Sequence, residues 1–288
     1  MKKIGIAIIG TLFSCGLYAQ DYQDVLRYSE SFPQGNARFS AMSGAFGGLG
    51  ANISGMSINP AGSAMFNKSV FEFSPAFNLT KSENYYLNTY DRAFVSTLKI
   101  PNVGVVFSKP ISQNDLYVTG ISYGFSVNRQ NQFNETTIHN AINNTSSLTD
   151  EFLRLSIQGF EFDDFNELAK NTKLIGYDST NSSYFSDFRY FNNSGEVETD
   201  YGQNQTITNA KEGAKKEYLF NFGVDFSEKV FIGADVSIES IFYSQNFSIN
   251  ESDDAQTKDY LNNYTYATSL KANRSEERRV GKECATLC

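Results

Sequence analysis

The sequence predicts an all-β protein, and more specifically part of a transmembrane antiparallel β-barrel. Three observations predict it. Segments of about ten residues alternate large apolar with small polar residues. The connections between these segments are short and long in turn, as in outer-membrane barrels. Aromatic residues make up 15% of the 288 residues, yet no apolar run after the N-terminus reaches the about 20 residues that a spanning helix needs.

The first residues are typical of a secretory signal peptide. Lys2 and Lys3 precede an apolar stretch over 4–17, and Ala19 supplies a small residue at the cleavage position. We therefore expect residues 1–19 to be removed on export.

Alternation begins after residue 68, and residues 69–273 are expected to form the N-terminal part of the barrel. One parity is aromatic and aliphatic and is expected to face lipid, whereas the other is rich in Gly, Ser, Asn and acids. Asp225, Asp235 and Glu239 fall on the polar parity, where a wet lumen accommodates charges that a dry core would not. A soluble, secreted β-sandwich also alternates and remains the alternative fold. The expected strands cover 69–80, 94–107, 115–128, 218–226 and 230–239, with a sixth at 264–270.

The connections differ in length. Those over 108–115 and 227–229 are short, whereas 81–92, 129–217 and 250–263 are expected to be long extracellular loops. Within 129–217, helical spacing predicts two short helices, the first capped by Ser147 or Thr149. Their apolar side chains either pack on each other or capture an apolar ligand. The candidate ligand-binding residues are Phe152, Leu155, Phe160, Phe162, Phe165 and Leu168.

Residues 274–288 differ from the rest of the chain. The charge density rises after Asn273, the aromatic alternation stops, and 274–284 resembles the translation of a sequencing-adapter oligonucleotide. We expect this tail to be non-native and the natural protein to continue past Asn273. The cysteines lie only in the leader and the tail, at Cys15, Cys284 and Cys288. Disulfides, thiolate catalysis and cysteine-bound metals are therefore not expected in the mature protein.

Catalytic and nucleic-acid-binding signatures are lacking. A net charge of −8 offers no basic patch for phosphates, so no nucleic-acid partner is expected. Residues 120–124 match the G-x-S-x-G pattern, but alternation continues through them, whereas a nucleophile elbow requires a strand-turn-helix context. We expect neither an enzyme nor a bound cofactor or metal.

Residues 20–68 show no strand periodicity and contain an ordered set of glycines. Gly35, Arg38 and Gly44 are followed by Asn59-Pro60-Ala61 and then by an aromatic strand. This set resembles the N-terminal hatch of the FadL/TodX family of outer-membrane transporters for long-chain fatty acids and other hydrophobic compounds. We call residues 20–68 the hatch segment.

The resemblance implies a barrel of about fourteen strands, plugged by the hatch and opened laterally into the bilayer. This chain would supply five or six of them. The implied function is passive uptake of hydrophobic small molecules such as long-chain fatty acids. From charge sign, Arg38 is expected to pair with Asp225, Asp235 or Glu239 in the lumen.

The implied localisation is the cell outer membrane. The implied partners are a hydrophobic small-molecule ligand, the lipid bilayer and the outer-membrane assembly machinery. Two alternatives stay open: a non-transporting surface protein or adhesin whose long loops bind a partner, and a hemin-receptor-like binding protein. His139 is the only histidine that could bind haem iron.

Overall fold

The computed structural model describes residues 22–32, 34–111, 117–158, 164–253, 263–278 and 286–287. The expected signal peptide, 1–19, lies outside these residues. Helical structure is confined to short elements, and no helix within the described ranges is long and apolar enough to cross a membrane. The helices are α1 (Tyr22–Ser29), α2 (Ala37–Ala41), a 3₁₀ helix (Pro60–Met65), α3 (Leu148–Ile157) and α4 (Asp164–Asn171).

Antiparallel β-sheet dominates the described chain, which confirms the all-β prediction. The main sheet contains β1 (Val70–Tyr86), β2 (Thr89–Pro110), β3 (Val118–Gln132), β4 (Glu135–Asn143), β9 (Gln203–Phe226), β10 (Val230–Ser252), β11 (Asn263–Arg278) and β12 (Thr286–Leu287). Its strands run in the order β1-β2-β3-β9-β10-β11, while β4 pairs with β9 and β12 with β10. No pairing joins β1 to β11, so the described strands form an open sheet and not a closed barrel.

The strands are longer than hydropathy predicts. The expected long loop over 81–92 is instead a tight hairpin, in which Leu87 and Asn88 both have positive φ, as a two-residue type I′ turn requires. The expected loop over 129–217 contains β4 and the first half of β9. β11 likewise continues beyond Asn273, to Arg278. Apart from a few residues such as Ile138 and Ile142, these extensions are polar on both faces, so period-two hydropathy does not reveal them.

The two faces of the sheet are inverted relative to a soluble protein. Phe71 is 70% exposed, whereas Ser122 on the opposite parity is 1% exposed. We call the first the apolar face and the second the covered face. Exposed residues of the apolar face include Phe73, Phe77, Leu79, Phe94, Leu98, Tyr123, Phe125, Phe220, Phe222, Ile232 and Val236. Buried residues of the covered face include Asn102, Ser126, Asn128, Glu217, Asn221, Asp225, Asp235, Ser237 and Glu239.

Residues 144–158 and 164–202 form a small folded unit between β4 and β9, which we call the loop unit. It holds α3, α4 and two hairpins, β5 (Gly176–Asp178) with β6 (Ser183–Phe185) and β7 (Arg189–Phe191) with β8 (Val197–Thr199). Helix α3 begins as predicted, because Ser147 and Asp150 form a reciprocal capping box.

Candidate functional site

The hatch segment lies on the covered face and fits against glycines of the strands. A Cβ built on Gly233 would lie 2.4 Å from the backbone of Pro60, and one on Gly223 would lie 2.4 Å from Ser63 Oγ. These positions therefore have to be glycine for the hatch backbone to approach so closely. The same relation joins Gly104 to Ile53 and Gly124 to Met56.

The Asn59-Pro60-Ala61 motif forms the base of this contact. Pro60 begins the 3₁₀ helix, where its missing N–H costs no hydrogen bond. Its carbonyl oxygen accepts a hydrogen bond from Asn221 Nδ2 of β9 at 3.1 Å. One turn later, Ser122 Oγ donates to Ser63 Oγ at 3.1 Å. The predicted rigid turn thus docks directly on the covered face.

A second anchor joins the start of the hatch to β1. Asn36 caps α2 by accepting from the Phe39 N–H at 2.8 Å, and its Nδ2 donates to Glu72 Oε2 at 3.0 Å. Ser54 Oγ donates to the other Glu72 oxygen at 3.2 Å. Gly35 is buried against Ser54, with space for no larger residue. Glu72 could not be recognised as an anchor from the sequence, because an acid on the polar parity gives no sign of its partner.

Apolar contacts complete the docking. Ile53, Met56 and Phe66 of the hatch are buried against Val106 and Leu219 of the sheet. Val106 and Leu219 lie on the covered face among polar residues. Such exceptions to the polar parity are the signal that could have located the hatch contact in the sequence.

The predicted anchor through Arg38 is wrong. Arg38 is exposed and its guanidinium lies over the Phe46 ring, 5.7 Å from the centroid. Glu239 instead pairs with Lys215, with 3.1 Å between Nζ and Oε2 and both residues buried. Asp225 accepts from the Glu228 N–H at 2.8 Å within the β9–β10 turn. Charge sign indicated that these carboxylates need donors; the β9–β10 turn supplies one to Asp225, and the neighbouring strand β9 supplies one to Glu239.

Lys215 also holds α1 in place. Its Nζ donates to the Tyr28 carbonyl at 3.3 Å and to Ser31 Oγ at 3.2 Å. A cation at the last turn of a helix is favourable because it faces the negative end of the helix dipole. Arg27 lies over the Tyr243 ring, 3.9 Å from the centroid. A cavity of about 410 Å³ remains between this helix and the sheet.

The sheet has a gap in its backbone pairing beside β2. Pairing of β2 with β3 runs from Asn102 to Pro110, and no described strand pairs with Thr89–Pro101 on that side. Pro101 has no N–H to donate, which favours ending the ladder there. We call this gap the lateral window. A cavity of about 440 Å³ at the window is lined by Thr97 from the covered face and Tyr218 from the apolar face.

Side chains, in place of a backbone ladder, close the far part of the window. Asp91 accepts from the Asn140 N–H at 2.6 Å and from its Nδ2 at 3.2 Å. Asn134 Nδ2 donates to Thr97 Oγ1 at 3.4 Å. Each hydrogen bond contributes only about 0.5–1.5 kcal/mol. The few side-chain hydrogen bonds at the window are therefore easier to break together than the many bonds of a continuous backbone ladder.

Among the candidate ligand-binding residues of the loop unit, the side chains of Phe152, Leu155 and Leu168 are described, and these three differ in exposure. Phe152 is 1% exposed and packs with Leu153, Ala169 and Ile175, so it stabilises the unit and is not presented to a ligand. Leu155 is half-buried, and Leu168 is 51% exposed. Phe160 and Phe162 lie outside the described residues, and the side chain of Phe165 does as well.

Glu251 of β10 ties the loop unit to the sheet. This carboxylate is 1% exposed and accepts from Ser147 Oγ at 2.6 Å and from the Leu148 N–H at 3.0 Å. It therefore places a negative charge at the start of α3, where the helix dipole stabilises it. Tyr201 closes the opposite side by donating to Asp150 at 2.9 Å.

The serine of the G-x-S-x-G match and the single histidine both lie within regular strands. Ser122 of the G-x-S-x-G match is mid-strand in β3 and hydrogen-bonded to the hatch. His139 lies in β4 against the Tyr86 ring, with its Nδ1 buried and without a hydrogen bond to the described residues. No group of three or more His, Cys, Asp or Glu side chains that could hold a metal occurs in the described part of the chain.

No protein-family model, curated protein or solved structure matches this chain.

Proposed function

We propose that this protein is an outer-membrane transporter of the FadL/TodX type that takes up hydrophobic small molecules such as long-chain fatty acids without an energy source. The observation that carries the proposal is the inverted sheet, with aromatic side chains exposed on one face and buried polar side chains beneath the hatch segment on the other. Water does not favour so large an apolar surface, whereas the hydrocarbon of a bilayer does.

The hatch and the window together suggest a route. The hatch segment covers the polar interior, so an apolar ligand does not need to cross a water-filled pore. The lateral window opens toward the apolar face at Tyr218, where hydrocarbon would receive the ligand. In this proposal the assembly machinery of the outer membrane inserts the full-length protein, and the bilayer satisfies its apolar face.

Locking the window tests the route. Thr97 and Asn134 touch across it through a 3.4 Å hydrogen bond, so a Thr97→Cys/Asn134→Cys pair should close it when oxidised. Uptake of labelled oleate by cells carrying the full-length protein should fall on oxidation and recover on reduction. The control is Asn78→Cys/Thr97→Cys, which links register partners of the already paired β1 and β2. Uptake that is equal to vector-only cells for the unmodified protein would contradict the transport proposal.

A second candidate function is that of a non-transporting surface protein. The loop unit favours it, because its described residues fold into helices and hairpins with their own apolar cluster instead of a plain connection. Replacing the unit with a short turn separates the two functions. A transporter would still take up oleate above the vector-only level, whereas a surface-binding protein would lose only its attachment to cells or matrix.

A further inference from the structure

A cavity of about 350 Å³ on the sheet beside the lateral window has an unusual lining. Four of its seven lining residues are aliphatic and three are cations, with no acid among them. The aliphatic residues are Leu98, Ile100, Val103 and Val127, and the cations are Lys99, Arg129 and Lys216. The cavity therefore combines an apolar wall with a concentrated positive charge.

The two central cations repel each other without compensation. Arg129 and Lys216 are direct cross-strand partners on β3 and β9, an arrangement in which like charges destabilise a sheet. Neither side chain has an ion pair or hydrogen bond to any residue that the structure describes, and Arg129 Nε is buried without a partner. Lys99 adds a third charge and donates only to the neutral Gln34 amide, at 3.3 Å.

Nearby carboxylates do not neutralise the charges of Arg129 and Lys216. Glu212 lines the adjoining 440 Å³ cavity with Arg129 and Lys216, but no ion pair joins it to either of them. By contrast, the buried Lys215 on the opposite face of β9 is fully partnered by Glu239, Tyr28 and Ser31. Within the described part of the chain, β9 thus pairs Lys215 on the covered face and leaves Lys216, at the window, without an ion pair.

We propose that this cavity binds the anionic head group of an acyl-chain amphiphile. Arg129 and Lys216 would hold the carboxylate or phosphate, since charge-assisted hydrogen bonds to such groups are among the strongest that proteins form. Lys99 adds charge from the hatch side. The first part of the acyl chain would lie along Leu98 and Ile100. Two sources supply this chemistry: a fatty acid in transit, or a resident phospholipid.

The test measures head-group dependence in the full-length protein, in nanodiscs of phosphatidylcholine. The probes are oleate and oleyl alcohol, which differ in the head-group charge. For Arg129→Gln/Lys216→Gln, we expect the Kd for oleate to rise about tenfold or more, because two charged donors are lost. The Kd for oleyl alcohol should change less than about twofold because it makes no charge-assisted bond. The matched control, Lys229→Gln/Lys271→Gln, removes two exposed cations away from the cavity and should leave both affinities unchanged.

Two results would overturn the proposal: an unchanged oleate affinity in the double variant, or an equal loss for oleate and oleyl alcohol. If the double variant does not assemble, two single variants provide the same comparison. Lys216→Gln should weaken the affinity for oleate and not that for oleyl alcohol, whereas the charge-preserving Arg129→Lys should retain the affinity for oleate. In nanodiscs containing phosphatidylglycerol, native mass spectrometry distinguishes the sources. If the site holds a resident lipid, the unmodified protein should retain phosphatidylglycerol and the double variant should lose it. If the site holds a fatty acid in transit, the unmodified protein should retain oleate in preference to phosphatidylglycerol.

The head-group site rests on the proposed function in one respect, which is that the apolar face contacts lipid. The two can fail separately. Absence of uptake for both oleate and oleyl alcohol would defeat the transport proposal and leave anion binding intact. Uptake without any preference for the charged head group, unaffected by the double variant, would defeat the head-group site alone.

Discussion

Adding one methyl group at Gly233 is expected to lift the hatch segment from the sheet. A Cβ there would lie 2.4 Å from the carbonyl carbon and oxygen of Pro60 and 2.5 Å from the Ala61 nitrogen. All three are backbone atoms of the 3₁₀ helix, so no side-chain rotation can relieve the overlap. Overpacking of this kind costs about 1–3 kcal/mol.

The matched control is Gly120→Ala, on the same covered face. A Cβ at Gly120 would find its nearest neighbour, Asp225 Cβ, at 3.5 Å, which is an ordinary van der Waals contact. This substitution should therefore change the free energy of unfolding by less than about 0.5 kcal/mol. The two variants add the same methyl group and differ only in whether the hatch lies above it.

Hydrogen exchange of the hatch amides measures the effect in the full-length protein. If Gly233→Ala weakens docking by about 1–3 kcal/mol, amides such as that of Ala51, which donates to the Gly62 carbonyl at 2.8 Å, should exchange about 5- to 160-fold faster. Exchange in β9 should be nearly unaffected. Equal hatch protection in the Gly233→Ala and Gly120→Ala proteins would refute the docking geometry.

Three further outcomes are expected. Phe152→Ala should destabilise the loop unit by about 3–5 kcal/mol, measured by hydrogen exchange in α3. Leu168→Ala should change the stability of the unit by less than about 0.5 kcal/mol. Equal losses in the two variants would contradict the burial of Phe152 in the unit's core. Lys215→Met should cost about 3–5 kcal/mol, because it removes the ammonium that pairs with the buried Glu239 carboxylate. The double variant Lys215→Met/Glu239→Leu should recover most of this loss in thermal unfolding. Burial, together with the hydrogen bond that Tyr201 donates to Asp150, raises the pKa of Tyr201 from 10.0 to about 12. Tyr201 therefore stabilises the loop unit below pH 10, and this contribution is lost as the pH rises toward 12. Tyr201→Phe should abolish this pH dependence of the loop unit's stability.

Much of the architecture could be predicted because it depends on local alternation. The parity of Phe220 and Asn221 fixes which face of β9 each occupies, whatever the neighbouring strand is. The Ser147 cap and the 3₁₀ turn at Pro60 are equally local. The ends of the strands could not be predicted, because residues 203–217 are polar on both faces and carry no hydropathy signal.

The sequence by itself determined that apolar and polar side chains separate onto opposite faces, since a strand has a period of two. Only the tertiary structure decided which polar groups meet. It paired Glu239 with Lys215 instead of Arg38 and buried Phe152 within the loop unit. Among the described residues it left Arg129 and Lys216 at the window without an ion pair. Such contacts join residues far apart in the chain, and their partners depend on register and on where glycines allow two backbones to approach.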